Sequence, residues 1–84
     1  MTRLSSTSER PSLDRLPVGQ TARVSDVVGV DPTALRLLEM GITPGVTVRV
    51  VGRAPLGDPL ELEVRGYRLS IRDVDAARVA VAPA

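Results

Sequence analysis

The clearest hydrophobic pattern lies in the second half of the chain. Val46, Val48 and Val50 alternate with Thr47, Arg49 and Val51; Leu60, Leu62 and Val64 alternate with Glu61, Glu63 and Arg65. Tyr67, Leu69 and Ile71 alternate in turn with Arg68, Ser70 and Arg72. A period of two, apolar on one side and polar on the other, is what half-solvated antiparallel strands require. Val79 and Val81 resume the pattern after a break in which Asp73 can cap a brief helical turn through Ala76 and Ala77. Placing Arg65 and Gly66 at the centre of a two-residue turn, with φ > 0 at Gly66, sets Val64 against Tyr67, Leu62 against Leu69 and Leu60 against Ile71. The same register puts Glu63 opposite Arg68 and gives Glu61 both Arg68 and Arg72 as diagonal neighbours, so the two faces agree.

The first half is less regular. Leu13 and Leu16 are spaced to plug one end of a core. Gln20 to Val28 reads as a strand, with Ala22, Val24 and Val28 on one side, until Gly29 breaks it. Asp31 is a good N-cap and Pro32 suits a first helical turn, which predicts a helix from Pro32 to Met40. Leu35, Leu38 and Ile42 fall at helical spacing, and Leu37 with Met40 widens the apolar stripe. Gly41 can take the left-handed conformation that ends a helix. Pro44 and Gly45 then form the centre of a type II turn that sends the chain into the next strand. Gly41, Pro44, Gly45 and Gly66 are thus expected to be structural. Five short strands with one inserted short α-helix predict a mainly β fold, a small, closed or nearly closed SH3-like β-barrel of antiparallel strands. The expected boundaries are a flexible tail over 1–12 and the barrel over 13–82.

Composition narrows the chemistry. The 84 residues include one Tyr and no Phe or Trp, so the core must be aliphatic. There is no Cys and no His, which removes disulfides, thiol catalysis, the commonest general base and the best transition-metal ligands. All 11 basic residues are Arg, set against 10 acids for a net charge of +1. That balance gives no electrostatic footprint for nucleic acid or an anionic membrane, and Tyr67 alone could stack on a base. Asp26, Asp31, Asp58, Glu61, Glu63, Asp73 and Asp75 are the carboxylate donors considered for a metal. Glu61 and Glu63 are better explained by pairing with Arg68 and Arg72, and the Asp73–Asp75 pair lacks the ligand count of a calcium loop. No Walker or dinucleotide glycine cradle appears, and no His or Lys is present to activate a serine. The expectation is a protein without catalytic, cofactor or metal site. No apolar run reaches the roughly 20 residues a membrane span needs, and the first dozen residues lack the core of a secretory signal, so a cytoplasmic location is expected.

Four stretches resemble the FeoA family in order and spacing. They are LDRLPVGQTARV from Leu13 to Val24, LLEMGITPG from Leu37 to Gly45, APLGDPLELEV from Ala54 to Val64, and GYRLSIRDVDAARVAV from Gly66 to Val81. The resemblance implies a small cytoplasmic SH3-like barrel serving as accessory partner of the ferrous iron permease FeoB, a membrane protein with a cytosolic G-protein domain. It implies contact with the membrane only through that permease, no nucleic acid and no resident cofactor. The same domain ends metal-dependent repressors of the diphtheria-toxin-repressor type, whose winged helix-turn-helix finds no room in this chain. A stand-alone interaction module for another metal-responsive partner is the alternative, followed by a nucleic-acid-binding small barrel. Without reactive groups the exterior can act only by contact. Leu38, Met40, Pro55, Leu56 and Tyr67 are the candidate partner-binding residues, as a groove built from the helix and the proline loop.

Overall fold

The computed structural model describes residues 11–84. After a 3-10 turn at Leu13–Arg15 come β1 (Thr21–Val27), α1 (Pro32–Glu39), β2 (Thr47–Arg53), β3 (Leu60–Val64) and β4 (Tyr67–Ile71). A four-residue helix, α2 (Asp73–Ala76), leads into β5 (Val79–Pro83). The strands form one antiparallel sheet in the order β4-β3-β2-β1-β5, curled around a single aliphatic core. Among the described residues β4 and β5 do not pair, which leaves the barrel open along one seam.

The β3–β4 hairpin has the register its sequence predicts, with Val64 against Tyr67, Glu63 against Arg68, Leu62 against Leu69 and Leu60 against Ile71. Arg65 at φ 52° and Gly66 at φ 86° form the turn, with the two positive values of a type I′ hairpin. Glu63 also lies across from Arg49 of β2, and its ion pair, at 3.8 Å, is with Arg49 and not with the expected Arg68. The core is a close-packed set of Val, Leu and Ile, in which Leu13, Ile42, Leu60, Leu62, Val48 and Val64 are wholly buried. Leu13 plugs the core as expected, and Leu16 packs against it.

Two bulges displace what alternation predicts. The β1–β5 register shifts between Val24 and Asp26, so Ser25 is an extra residue, and the β2–β3 register shifts between Val50 and Gly52. A bulge reverses the phase of everything after it. Val27 therefore packs on the core, and Val28, expected on the core side, is exposed. The phase of α1 also differs. Ala34 and Leu37 face the core, whereas Leu35 and Leu38, part of the expected apolar stripe, are 57% and 37% exposed. An eight-residue helix laid over a barrel end buries only one row, and the contacts of its two ends choose which. Asp73 does not cap α2. The cap position is Arg72, the Asp58 carboxylate accepts the Asp73 N–H at 2.9 Å, and the Asp73 side chain turns to Arg53. Residues 1–10 of the expected tail lie outside the described residues. Pro11 and Ser12, assigned to that tail, instead run along β5, where the Val81 N–H donates to the Pro11 carbonyl at 3.1 Å and Ser12 bridges Ala80.

Candidate functional site

The seam between β4 and β5 is spanned by α1, which is fastened at both ends. At its C-terminus the Gly41 N–H donates to the Leu38 carbonyl (3.0 Å) and the Ile42 N–H to the Leu37 carbonyl (3.1 Å). This is the paired closure of a Schellman motif, accompanied by burial of Leu37 and Ile42 together. Gly41 carries the left-handed φ of 99° that the motif needs. A second constraint falls on the same residue. The Tyr67 hydroxyl donates to the Met40 carbonyl at 2.7 Å, and a Cβ on Gly41 would stand 2.6 Å from that hydroxyl. The glycine lets the β4 turn reach the end of the helix. Thr43 to Val46 then form the expected type II turn, closed by the Val46 N–H on the Thr43 carbonyl at 3.1 Å with Gly45 at φ 94°. The Gly45 N–H donates to Val24 of β1 at 2.8 Å, so the turn is anchored to the sheet.

At the N-terminus of α1, Asp31 accepts the Ala34 N–H at 3.3 Å and pairs with the Arg78 guanidinium, just ahead of β5. The hydrogen bond from Arg78, with a lesser contribution from Ala34, holds the Asp31 carboxyl below its ordinary range, and Asp31 raises the Arg78 value in return. A third fastening lies near the barrel's other end. Arg53 Nη2 donates to the carbonyls of Asp14 (2.6 Å) and Leu16 (3.3 Å), while Nη1 reaches Asp73 Oδ1 at 3.3 Å. It joins the 3-10 turn, β2 and α2.

The candidate partner residues fall into separate places. Met40 and Tyr67 meet through the bond just described. Met40 also lines a groove of about 290 Å³ between α1 and β4, with Leu37 and Ile71 beside it and Arg36, Arg72 and Asp75 around it. Leu38 lies on the outer face of α1, in a recess it shares with Val30, Ala34 and Leu35. Pro55 and Leu56 sit in the β2–β3 loop, with Leu56 96% exposed. That loop joins the ends of β2 and β3 away from the Tyr67 turn, so the length of β3, about 13 Å, separates it from that turn. The groove is therefore made by α1, β4 and the start of α2, without the proline loop. Arg53 had no distinguishing mark in the sequence: a bond to a backbone carbonyl leaves no residue pattern.

Among the described residues no group of three or more His, Cys, Asp or Glu side chains could hold a metal ion. Asp58 and Asp73 are engaged in hydrogen bonds with the chain itself. None of the described helices is long and apolar enough to cross a membrane.

Comparison with known proteins gives this arrangement relatives. Residues 12–83 match the FeoA domain family. Over 69 residues the chain is 39% identical to a Fe(2+) transport protein A/Fe(2+) transporter FeoB fusion protein of Porphyromonas gingivalis, covering 82% of this chain and 8% of that one. The chain thus spans under a tenth of that relative's length. An FeoA-like protein of Clostridium acetobutylicum superposes with a TM-score of 0.83 at 30% identity, covering 88% of this chain and 86% of that one. The FeoA of Stenotrophomonas maltophilia, a prokaryotic SH3 domain protein solved in complex with zinc, gives 0.74 at 36% identity, covering 86% and 89%. A zinc site of imidazole or thiolate donors cannot be built here, since the chain has neither side chain.

Proposed function

The chain belongs to the FeoA family, and from that premise we propose that it is a cytoplasmic, non-catalytic accessory of ferrous iron transport that binds the cytosolic part of a FeoB-type permease. The observation that carries this reading is the Porphyromonas relative, in which the same domain and the transporter are one polypeptide. Fusion keeps two partners at high effective concentration, and a free domain must supply by affinity what the fused one has by linkage. The chemistry of the chain supports contact as the means. It lacks His, Cys and Lys, and among the described residues its carboxylates form no cluster of three or more. Binding would act by favouring one conformation or assembly state of the permease, to the extent of its differential affinity for the two. The docking side of this proposal is the one carrying Met40 and Tyr67, with Leu38 on the adjoining helix face.

Co-purification with the cytosolic part of the FeoB-type permease from the same organism tests the proposal. Capture of the wild-type chain is expected, with Met40→Glu weakened and Leu56→Glu unchanged. No capture of the wild-type chain at micromolar concentrations would sink the reading. Capture that Leu56→Glu abolishes and Met40→Glu leaves intact would move the docking side to the β2–β3 loop.

A further inference from the structure

The two borders of the sheet differ in their free hydrogen-bonding groups. In a two-residue hairpin the residues flanking the turn exchange both backbone bonds. Tyr67, Leu69 and Ile71 therefore direct N–H and C=O to β3, while Arg68 and Ser70 direct theirs away from it. Among the described residues no strand lies on that side, and no hydrogen bond reaches the outward groups of Arg68 or Ser70. Both side chains are exposed. An edge with unpaired N–H and C=O groups is a template for another strand.

This edge also has a recess on each face. Toward the core side lies the groove of about 290 Å³ with Leu37, Met40 and Ile71. On the opposite face a recess of about 200 Å³ is lined by Glu61, Arg68, Leu69 and Ser70. Ser70 borders both, as a free edge strand must. A strand added beside β4 would present alternate side chains to these two recesses, the arrangement by which edge-strand addition gains specificity beyond its backbone bonds.

The charges select the occupant. Arg68 lies on the solvent face of β4. Arg72, one residue past the strand, follows Arg68 and Ser70 in the alternation and borders the groove, and Arg36 stands across it. Among the described residues none of the three arginines has a carboxylate within 4.0 Å. The nearby carboxylates are Asp75, at the groove, and Glu61, at the recess; Glu63 is engaged with Arg49. On an added strand, the residue opposite Ser70 has Arg68 and Arg72 as diagonal neighbours on its own face. Its two flanking residues point to the groove. A second copy of this chain, paired antiparallel about Leu69, would set Arg68 there, against two arginines.

We propose that the open edge of β4 binds an extended segment of the partner as a sixth strand, with an Asp or Glu between Arg68 and Arg72 and an apolar residue on either side of it directed to the Leu37–Met40–Ile71 groove. The inference rests on the partner reading above and names the surface and the chemistry of that contact.

Binding to the permease's cytosolic part, measured by calorimetry together with amide exchange of the chain, tests it. Ser70→Pro removes an outward N–H while leaving the β3 ladder intact, and the paired Arg68→Glu/Arg72→Glu reverses the charge at two exposed positions. Each is expected to weaken binding tenfold or more, and the complex to slow exchange at the Arg68 and Ser70 amides tenfold or more. Wild-type affinity in the charge-reversed protein, or protection confined to the outer face of α1 or to the β2–β3 loop, would overturn the edge while leaving the partner in place. A concentration-dependent homodimer that Ser70→Pro abolishes would make a second copy the occupant and refute the acidic segment. No binding by the wild-type chain would remove both proposals together. Should Ser70→Pro fail to fold, the charge reversal carries the test alone.

Discussion

β4 and β5 are both terminal strands of one sheet, yet the chain treats them differently. Beside β5 run Pro11 and Ser12, which take the Val81 N–H and bridge Ala80. Two residues on, Pro83 fills the next outward position and has no N–H to offer. Among the described residues β4 has neither a backbone cover nor a proline on its outer edge, and the Tyr67 hydroxyl is the side-chain bond that ties its start to α1. Between them stands α1, about 12 Å long, pinned to the start of β5 by Asp31 and Arg78 and to the start of β4 by Met40 and Tyr67. One border is sealed by backbone. The other is tied to α1 by a side chain, which leaves its outward hydrogen-bonding groups available.

The heaviest blow to that arrangement should come from Gly41→Val. A β-branched residue resists φ of 99°, and its Cβ would press on the Tyr67 hydroxyl from 2.6 Å. A loss of about 3 kcal/mol or more is expected, a fall in melting temperature on the order of 12 °C or more. Gly66→Val at the hairpin turn meets open space and keeps only the backbone cost, so it should lose less. Tyr67→Phe alone should cost about 1 kcal/mol. In that background Gly41→Ala should be milder than in the wild type, because the hydroxyl it collides with is gone. Strict additivity of the two losses would mean that the clamp does not set the glycine requirement.

Arg53→Met probes the sealed side. The 3-10 turn that follows Pro11 and Ser12 is held by Arg53 through the Asp14 and Leu16 carbonyls. Methionine keeps much of the stem and removes every donor, for an expected loss of about 2 kcal/mol. The local signature matters more than the size. Exchange at the Val81 amide should speed up markedly, while the β3–β4 hairpin amides Leu62 and Leu69 keep their protection. Uniform acceleration across both would show that the seal and the hairpin open as one unit.

These effects also mark where the sequence could and could not be read. The hairpin was legible because both of its faces impose the same register, so a slip of one residue would bury Glu61 and expose Leu62. Ser25 and Val51 were not legible as bulges: Val51 only extends a run of valines, and an irregular alternation around Ser25 does not say which residue is the extra one. The Schellman end at Gly41 could be seen, and its dependence on Tyr67 could not, since the partner of the hydroxyl is a carbonyl. Leu38, Met40, Pro55, Leu56 and Tyr67 were expected together, as one groove of the helix and the proline loop; the structure joins Met40 to Tyr67 and sets Pro55 and Leu56 at the far end of β3. Strand order decided otherwise. It also decided which of two similar strands would be left without a neighbour, and alternation carries no information about that.

The smallest effect concerns the pin at β5. Arg78 holds the Asp31 carboxyl below its ordinary value of 3.8, so the folded chain binds that proton less readily than the unfolded one. A group depressed in this way stabilises the fold fully above its unfolded value and loses the contribution as pH falls through the folded one. The stabilisation should therefore be intact near neutrality and fade below pH 3.8. Asp31→Asn keeps a good N-cap and removes the titration. Melting temperatures of the two proteins should differ by a constant amount above about pH 5 and converge below the ordinary carboxylate value. Because both side chains are substantially open to water, 0.5 M salt should narrow the gap at neutral pH. Parallel pH profiles over the whole acid range would show that the pair contributes nothing to holding α1 across the seam, leaving the Tyr67 clamp as its one polar fastening.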